Sequence, residues 1–158
     1  MTCDSRLIPF VPFAQRSHSK FFPRGPFVSN TLGQLAIESA YGERMSGKNN
    51  PFGIKATPMQ IAAGKATRVW TKEFTRGFYQ SELLYFADYD SIEDAFDAHA
   101  FLLTHPWYQD CMNAQTPQEY AHALYRDHYA TAPNYAAVLI EVMDANDLYQ
   151  FDVYKLPA

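Results

Sequence analysis

The sequence predicts a mainly helical α+β domain with one small antiparallel β-lobe inserted between its helices. Apolar side chains recur at helical spacing through residues 31–42 and again through most of residues 92–146. Helix-start signals stand ahead of the later stretches, at Asp90-Ser91 and at Thr116-Pro117. Between these blocks, residues 67–75 (Thr-Arg-Val-Trp-Thr-Lys-Glu-Phe-Thr) are rich in β-formers and run into an Arg76-Gly77 turn signal.

Taken in order, residues 6–22 suit a first helix with Ile8, Val11, Phe13 and Ala14 inward and its prolines at the start, where they are tolerated. Pro23-Arg24-Gly25-Pro26 then breaks the chain. Ser29 or Asn30 caps the next helix, and Gly42 ends it or lies just past its end. Ser46-Gly47-Lys48-Asn49-Asn50-Pro51 reads as a turn or loop. The β-lobe covers about residues 65–89, with residues 78–89 returning as one or two further strands. Asp90 with Glu93, or Ser91 with Asp94, forms a capping box for the helix holding Ile92, Ala95, Phe96, His99, Leu102 and Leu103. Thr116-Pro117-Gln118-Glu119 is a stronger start: a capping Thr, Pro at the first helical position, and Glu at the third. Tyr135, Val138, Leu139, Val142 and Met143 mark the last amphipathic helix, and residues 147–158 carry no assignment.

A length of 158 residues suits one domain over 1–158 and allows a real core, and 47% apolar content says folded. Tyrosine (11) and phenylalanine (12) far outnumber tryptophan (2), a composition that fits a sugar-binding cleft and an ordinary core equally well. A net charge of -4 without any basic run excludes a nucleic-acid surface. It also argues against electrostatic capture by an anionic wall or membrane, so that cleft contacts must hold an anionic substrate. There is no membrane-spanning segment, and the short apolar stretch 7–13 is broken by Pro9 and Pro12 and lacks the flanks of a secretory signal. The expectation is synthesis in a cytoplasm. Cys3 and Cys111 form no zinc pattern or disulfide framework.

Glu38 is the residue with most to say. It is the lone carboxylate of residues 31–42, whose Leu32, Leu35, Ala36, Ser39 and Ala40 make one packed face while Ile37 adds apolar character on another. A helix so enclosed lies inside the protein, and a desolvated carboxyl there has a raised pKa. Such a group holds a proton near neutral pH and can deliver it to a leaving oxygen, as a glycosidase acid does. The alternative is a carboxylate at the helix edge, paired with Arg44 or Lys48. Glu73, just before the Arg76-Gly77 turn, is a second candidate acid, with Glu82, Asp88 and Asp90 on the same footing. Asn49, Asn50 and Lys55 offer donors for carbohydrate groups. The five histidines show no metal-ligand spacing, and His99 reads as a hydrogen-bonded core residue. No metal, cofactor, nucleophile elbow or phosphate loop is implied.

Glu38-Ser39-Ala40-Tyr41-Gly42 followed by Asn49-Asn50-Pro51-Phe52-Gly53-Ile54-Lys55 resembles the signature of glycoside hydrolase family 73, endo-β-N-acetylglucosaminidases that cut peptidoglycan. The likeness continues in Glu73-Phe74 with Gly77, in residues 89–96, and in Tyr129-Ala130-Thr131-Ala132-Pro133-Asn134-Tyr135-Ala136, spanning about residues 10–145. The resemblance implies a lysozyme-like fold with the β-lobe roofing a cleft. Glu38 would be its general acid, Glu73 a general base or electrostatic stabiliser, and Tyr129 a cleft-floor phenol. It carries Tyr41, Asn50, Phe52, Lys55 and Tyr135 to substrate-binding positions, with Phe52 and Ile54 also suited to packing alone. It further implies a monomer acting on peptidoglycan glycan strands with no cofactor. A muramidase, a lytic transglycosylase and a non-catalytic wall-binding protein are the alternatives. Where the family often has Asp before the proline, this chain has Ala132; as a helix cap that would cost about 1 kcal/mol unless Thr131 takes over.

Overall fold

The computed structural model describes residues 2–154, and the last four residues of the unassigned tail lie outside them. The chain enters through a 3-10 turn, Ile8–Phe10, and continues directly into α1, Val11–Phe21. Pro9 and Pro12 occupy the first turns of these two elements, where the missing N–H has no helical partner to lose. The single helix expected over 6–22 is therefore a tight turn plus a helix. Val11 and Ala14 face the core as expected, but Ile8 is 48% exposed. A 3-10 turn advances by three residues per turn, so the 3.6 period that placed Ile8 inward does not hold through it.

Helix α2, Val28–Ser39, is the centre of the molecule: Val28 through Ala36 are all buried. It packs on α7, Tyr135–Ala145, and on a C-terminal 3-10 segment, Leu148–Tyr154. The remaining helices surround this pair. Helix α4 (Ile92–Leu102) lies against α1, and α6 (Pro117–Arg126) lies against α7 and the short α5 (Gln109–Asn113). Leu32, Leu35, Phe52, Phe96, Tyr120, Leu139 and Met143 form the heart of the resulting core.

Gly33 permits the α2–α7 approach. A Cβ there would meet Leu139 Cδ1 at 2.6 Å and Met143 Cγ at 3.2 Å. Gly33→Ala is expected to destabilise the fold by about 1–3 kcal/mol through overpacking. Thermal unfolding checks this, with a fall of roughly 2–4 °C per kcal/mol.

Several termini follow local rules. Ser91, the nearer of the two expected caps, accepts from the Asp94 N–H at 3.1 Å. Thr116 accepts from the Glu119 N–H at 3.1 Å, while the Glu119 carboxylate turns back to the Gln115 N–H at 2.7 Å. Helix α2 does not follow them. Neither Ser29 nor Asn30 caps it; its N-cap is Phe27, and the Asp152 carboxylate accepts from the Ser29 N–H at 2.8 Å across the fold. Thr131 does not cap α7 either, since that helix starts after Asn134 with no side-chain cap.

Helix α3, Pro58–Ala62, was not expected, although Thr57 and Gln60 close a reciprocal capping box around it. Its five residues hold too short an apolar pattern to show a period. The β-lobe is a hairpin of two ten-residue strands, β1 (Ala66–Thr75) and β2 (Phe78–Ala87), so residues 78–89 contribute one strand. Arg76 and Gly77 both have positive φ, 53° and 86°, matching the hairpin turn whose twist suits the strands. Cys3 and Cys111 are both free thiols.

Candidate active site

The site begins where α2 ends. Helix α2 stops at Ser39, and Ala40, Tyr41 and Gly42 follow with φ of 48°, 61° and 88°. Such a left-handed run is unfavourable for the two non-glycine residues. Ser39 supports it: its hydroxyl donates to the Leu35 carbonyl at 2.6 Å and accepts from the Gly42 N–H at 2.8 Å. At Gly42 any side chain would strike the Phe10 ring at 2.8 Å. The abrupt turn ends the helix one residue beyond Glu38.

Although its helix is buried, the Glu38 residue is exposed at the helix end, while its carboxyl is desolvated as expected. Its pKa is nonetheless raised to about 7, first by desolvation, then by the negative charge of Glu73, with Lys55 opposing. Exposure and desolvation pull in opposite directions. They agree for a carboxyl in a concave setting, wet at its open side and crowded elsewhere. Gly53, with φ of +63°, passes so close that a Cβ would lie 3.3 Å from Glu38 Oε2. Among the described residues no hydrogen bond or ion pair engages the carboxyl, so the pairing with Arg44 or Lys48 does not occur.

The loop bearing Gly53 is fixed by Asn50, which is fully buried. Its amide donates to the Ile54 and Ala87 carbonyls, both at 2.9 Å, and its carbonyl accepts from the Ile54 N–H at 3.1 Å. Asn50, expected among the substrate donors, is placed as a clamp tying this loop to β2. Phe52 is buried beneath the site and stacks on His99 at 4.1 Å. Lys55 is exposed and bridges to Phe86 of β2, and Tyr41 is half-buried with the Arg6 guanidinium 4.5 Å above its ring.

Strand alternation sorts the hairpin into two faces. Glu73 pairs with Gln80, Thr71 with Glu82, Val69 with Leu84 and Thr67 with Phe86. Glu73, Gln80, Glu82 and Leu84 are half-buried and Phe86 is buried, so this is the inward face, and Glu73 acts electrostatically on Glu38 from it. Glu82 shares the face diagonally from Glu73. Asp88 is committed elsewhere, accepting from the Lys48 N–H at 2.8 Å and the Thr67 hydroxyl at 2.7 Å. Asp90 is exposed just before α4.

Under Glu38 lies a polar chain that sequence reasoning did not assemble. Gln34, one helical turn before Glu38, donates through Nε2 to the Tyr135 hydroxyl at 3.0 Å, and its Oε1 meets His99 Nε2 at 2.8 Å. Burial lowers the His99 pKa to about 3, so the ring is neutral and donates its Nε2 proton to Gln34. The Tyr135 oxygen already accepts from Gln34, which leaves the phenol's own hydrogen free. Tyr129 packs edge-on to His99 at 6.3 Å and against Tyr135 at 6.5 Å. Burial raises both phenol pKa values; the Tyr135 and Glu38 charges add to the rise at Tyr129, and the Glu38 charge adds to that at Tyr135 while its bond from Gln34 opposes it. The available signal was Gln34 itself, a polar residue four before Glu38 and so on its face. Gln34→Leu strands a buried donor and a buried acceptor and is expected to cost about 1–3 kcal/mol for each, read by denaturant unfolding.

A surface depression lined by His122, Ala137, Ile140, Glu141, Asp144 and Ala145 includes none of these residues. Among the described residues no cluster of His, Cys, Asp or Glu is arranged to hold a metal ion, and no helix is long and apolar enough to cross a membrane.

Comparison with known proteins accords with this arrangement. The family model described as glucosaminidase, mannosyl-glycoprotein endo-beta-N-acetylglucosaminidase, matches residues 24–148. This chain belongs to the glucosaminidase family. Its relatives include the peptidoglycan hydrolase FlgJ of Salmonella typhimurium, 34% identical over 71% of this chain and 37% of that protein. FlgJ of Pseudomonas aeruginosa is 27% identical over 94% of this chain and 38% of that protein. Exo-glucosaminidase LytG of Bacillus subtilis is 29% identical over 78% of this chain and 45% of its own length. The chain thus spans less than half the length of each of these relatives. The solved glycoside hydrolase domain of Salmonella typhimurium FlgJ, C-terminally truncated, superposes with a TM-score of 0.70 at 29% identity, covering 90% of this chain and 95% of that one. A peptidoglycan hydrolase mutant from Sphingomonas sp. A1 gives 0.74 at 29% identity, covering 90% and 92%. The fold is the lysozyme-like α+β arrangement of this family, with the hairpin as its β-lobe.

Proposed function

We propose that this chain is a peptidoglycan hydrolase that cleaves the β-1,4 bond after N-acetylglucosamine, with Glu38 as general acid. The observation that carries the reading is the Glu38 carboxyl itself: accessible, unpaired, held near pKa 7, and facing an acid-bearing hairpin. A carboxyl of that pKa is substantially protonated at neutral pH and still a competent donor, the condition general acid catalysis requires. Relatives named as peptidoglycan hydrolases and as an exo-glucosaminidase support the substrate class.

In this reading the Glu38 proton passes to the departing glycosidic oxygen as the bond to the anomeric carbon breaks. Positive charge builds on that carbon and its ring oxygen, and the Glu73 carboxylate on the inward hairpin face opposes it. Water then bonds through its oxygen to the anomeric carbon and gives up a proton to Glu73 or to the Glu38 carboxylate left by the first step, which balances the proton spent on the leaving group. The Tyr129 phenol, half-buried and packed against the Tyr135 that Gln34 holds, is the group that would meet the acetamido carbonyl. Lys55 and Tyr41 flank the loop and turn next to Glu38 and would contact the glycan. The chain acts as a monomer on the cell wall.

Mass spectrometry of fragments released from purified peptidoglycan tests the reading. Reducing N-acetylglucosamine ends are expected. Reducing muramic acid ends would make it a muramidase, and 1,6-anhydro ends a transglycosylase. Stable association with insoluble wall and no soluble product would make it a binding protein.

A further inference from the structure

The hairpin's two faces differ in charge as well as in exposure. Both strand carboxylates, Glu73 and Glu82, point inward; both strand cations, Arg68 and Lys72, point outward. On the outward face Arg68 pairs with Tyr85, Trp70 with Leu83, Lys72 with Ser81 and Phe74 with Tyr79. That face carries no acid. Trp70, between the two cations, is 70% exposed, and Tyr79 is 58% exposed. Among the described residues no ion pair or side-chain hydrogen bond engages the Arg68 guanidinium or the Lys72 ammonium. In a chain of net charge -4, this is a local reversal of sign around a flat aromatic ring.

We propose that the outward hairpin face is a second glycan-binding surface, one that holds a peptidoglycan strand through its sugar rings and its peptide carboxylates while the inward face works at Glu38. The inference rests on the proposed peptidoglycan reading and adds a separate site to it. Trp70 supplies a flat apolar face for a sugar ring. Arg68 and Lys72, two strand positions apart from Trp70 on either side and thus about 7 Å from it, supply cations where peptide carboxylates flank the sugars. Overall negative charge would keep the protein off an anionic wall, and this face is the local exception. The occupant suits the hairpin's position too. The wall is a polymer of many strands, so a weak contact outside the catalytic groove raises the effective concentration of bonds within it. A membrane is less well matched, because the hairpin's most exposed ring, Trp70, lies mid-strand between two cations, and the pair of Lys72 with Ser81 separates it from the exposed Phe78 and Tyr79 near the Arg76-Gly77 tip, so that they form no single apolar patch.

The test compares Trp70→Ala and the double variant Arg68→Ser/Lys72→Ser with the parent chain, all in the full protein. Binding is measured by co-sedimentation with purified sacculi in a Glu38→Gln background, where turnover does not remove the ligand. Rates are measured with Glu38 intact, on insoluble sacculi and on short soluble glycan fragments. Each variant is expected to bind sacculi about ten-fold or more weakly and to digest them more slowly, with rates on soluble fragments within about two-fold of the parent. Raising salt from about 0.05 to about 0.5 M should weaken parent binding and leave the double variant nearly unaffected.

Unchanged sacculus binding overturns the proposal. So does a lowered melting temperature with binding intact, because the aromatic pairs would then serve only to staple the hairpin. Loss of binding to phosphatidylglycerol vesicles with sacculus binding retained would reassign the face to membranes and overturn it as well. The two readings fail separately. A parent chain that releases no fragments, with sacculus binding still dependent on Trp70, sinks the catalytic reading and supports this one. Normal digestion by every face variant sinks this one alone.

Discussion

Glu38→Gln is expected to lower fragment release from purified peptidoglycan by about a hundred- to ten-thousand-fold, the span attributable to a positioned proton donor. The amide keeps the shape and removes the proton. No hydrogen bond or ion pair to the carboxyl is broken, so the fold should be retained. The stability change has a defined sign. The folded pKa, about 7, is above the ordinary 4.5. The proton-linked contribution is therefore fully present below about 4.5 and is lost as pH rises through about 7. Relative to the wild type, the variant should gain stability across that interval, a trend that thermal melts at several pH values would show. A Glu38→Gln protein clearing cell wall at the wild-type rate would remove Glu38 from the mechanism.

The second expectation concerns pH and Glu73. With Glu38 as the proposed acid, working in its protonated form, kcat/KM should fall as pH rises through about 7. Glu73 raises the Glu38 pKa and Lys55 lowers it. Glu73→Gln should therefore move this falling limb to lower pH, and Lys55→Ala should move it to higher pH. Glu73→Gln should also reduce the maximal rate by about a hundred-fold or more, if its carboxylate opposes the developing cation. The pH–rate profile separates the two effects: a lower rate with an unmoved limb would mean that Glu73 does not act on Glu38 through charge.

What was legible depended on how far apart the cooperating residues lie. Ser91 and Thr116 cap their own helices with bonds to residues three positions on, and such patterns are written locally. The hairpin was legible because β-formers and the Arg76-Gly77 turn adjoin. The cap of α2 was not, because its acceptor, Asp152, comes from 123 residues away and displaces the plausible local candidates Ser29 and Asn30. The same distance effect hid the chain from His99 through Gln34 to Tyr135, which lie on three different helices and meet only through packing. Asn50 shows the converse. Its residue type suggested a sugar donor, and burial directed every polar atom of its side chain to the backbone instead.

The sequence by itself determined a mainly helical chain with one hairpin, and it singled out Glu38, because periodicity and local hydrogen-bonding chemistry are properties of neighbouring residues. Tertiary structure alone decided that Glu38 meets solvent from a buried helix, since exposure depends on which distant segments cover a side chain. It alone brought Glu73 close enough to bias the Glu38 proton. It also set the hairpin's acids inward and its cations outward, because only the placement of the body on one side gives a strand's alternating faces different surroundings.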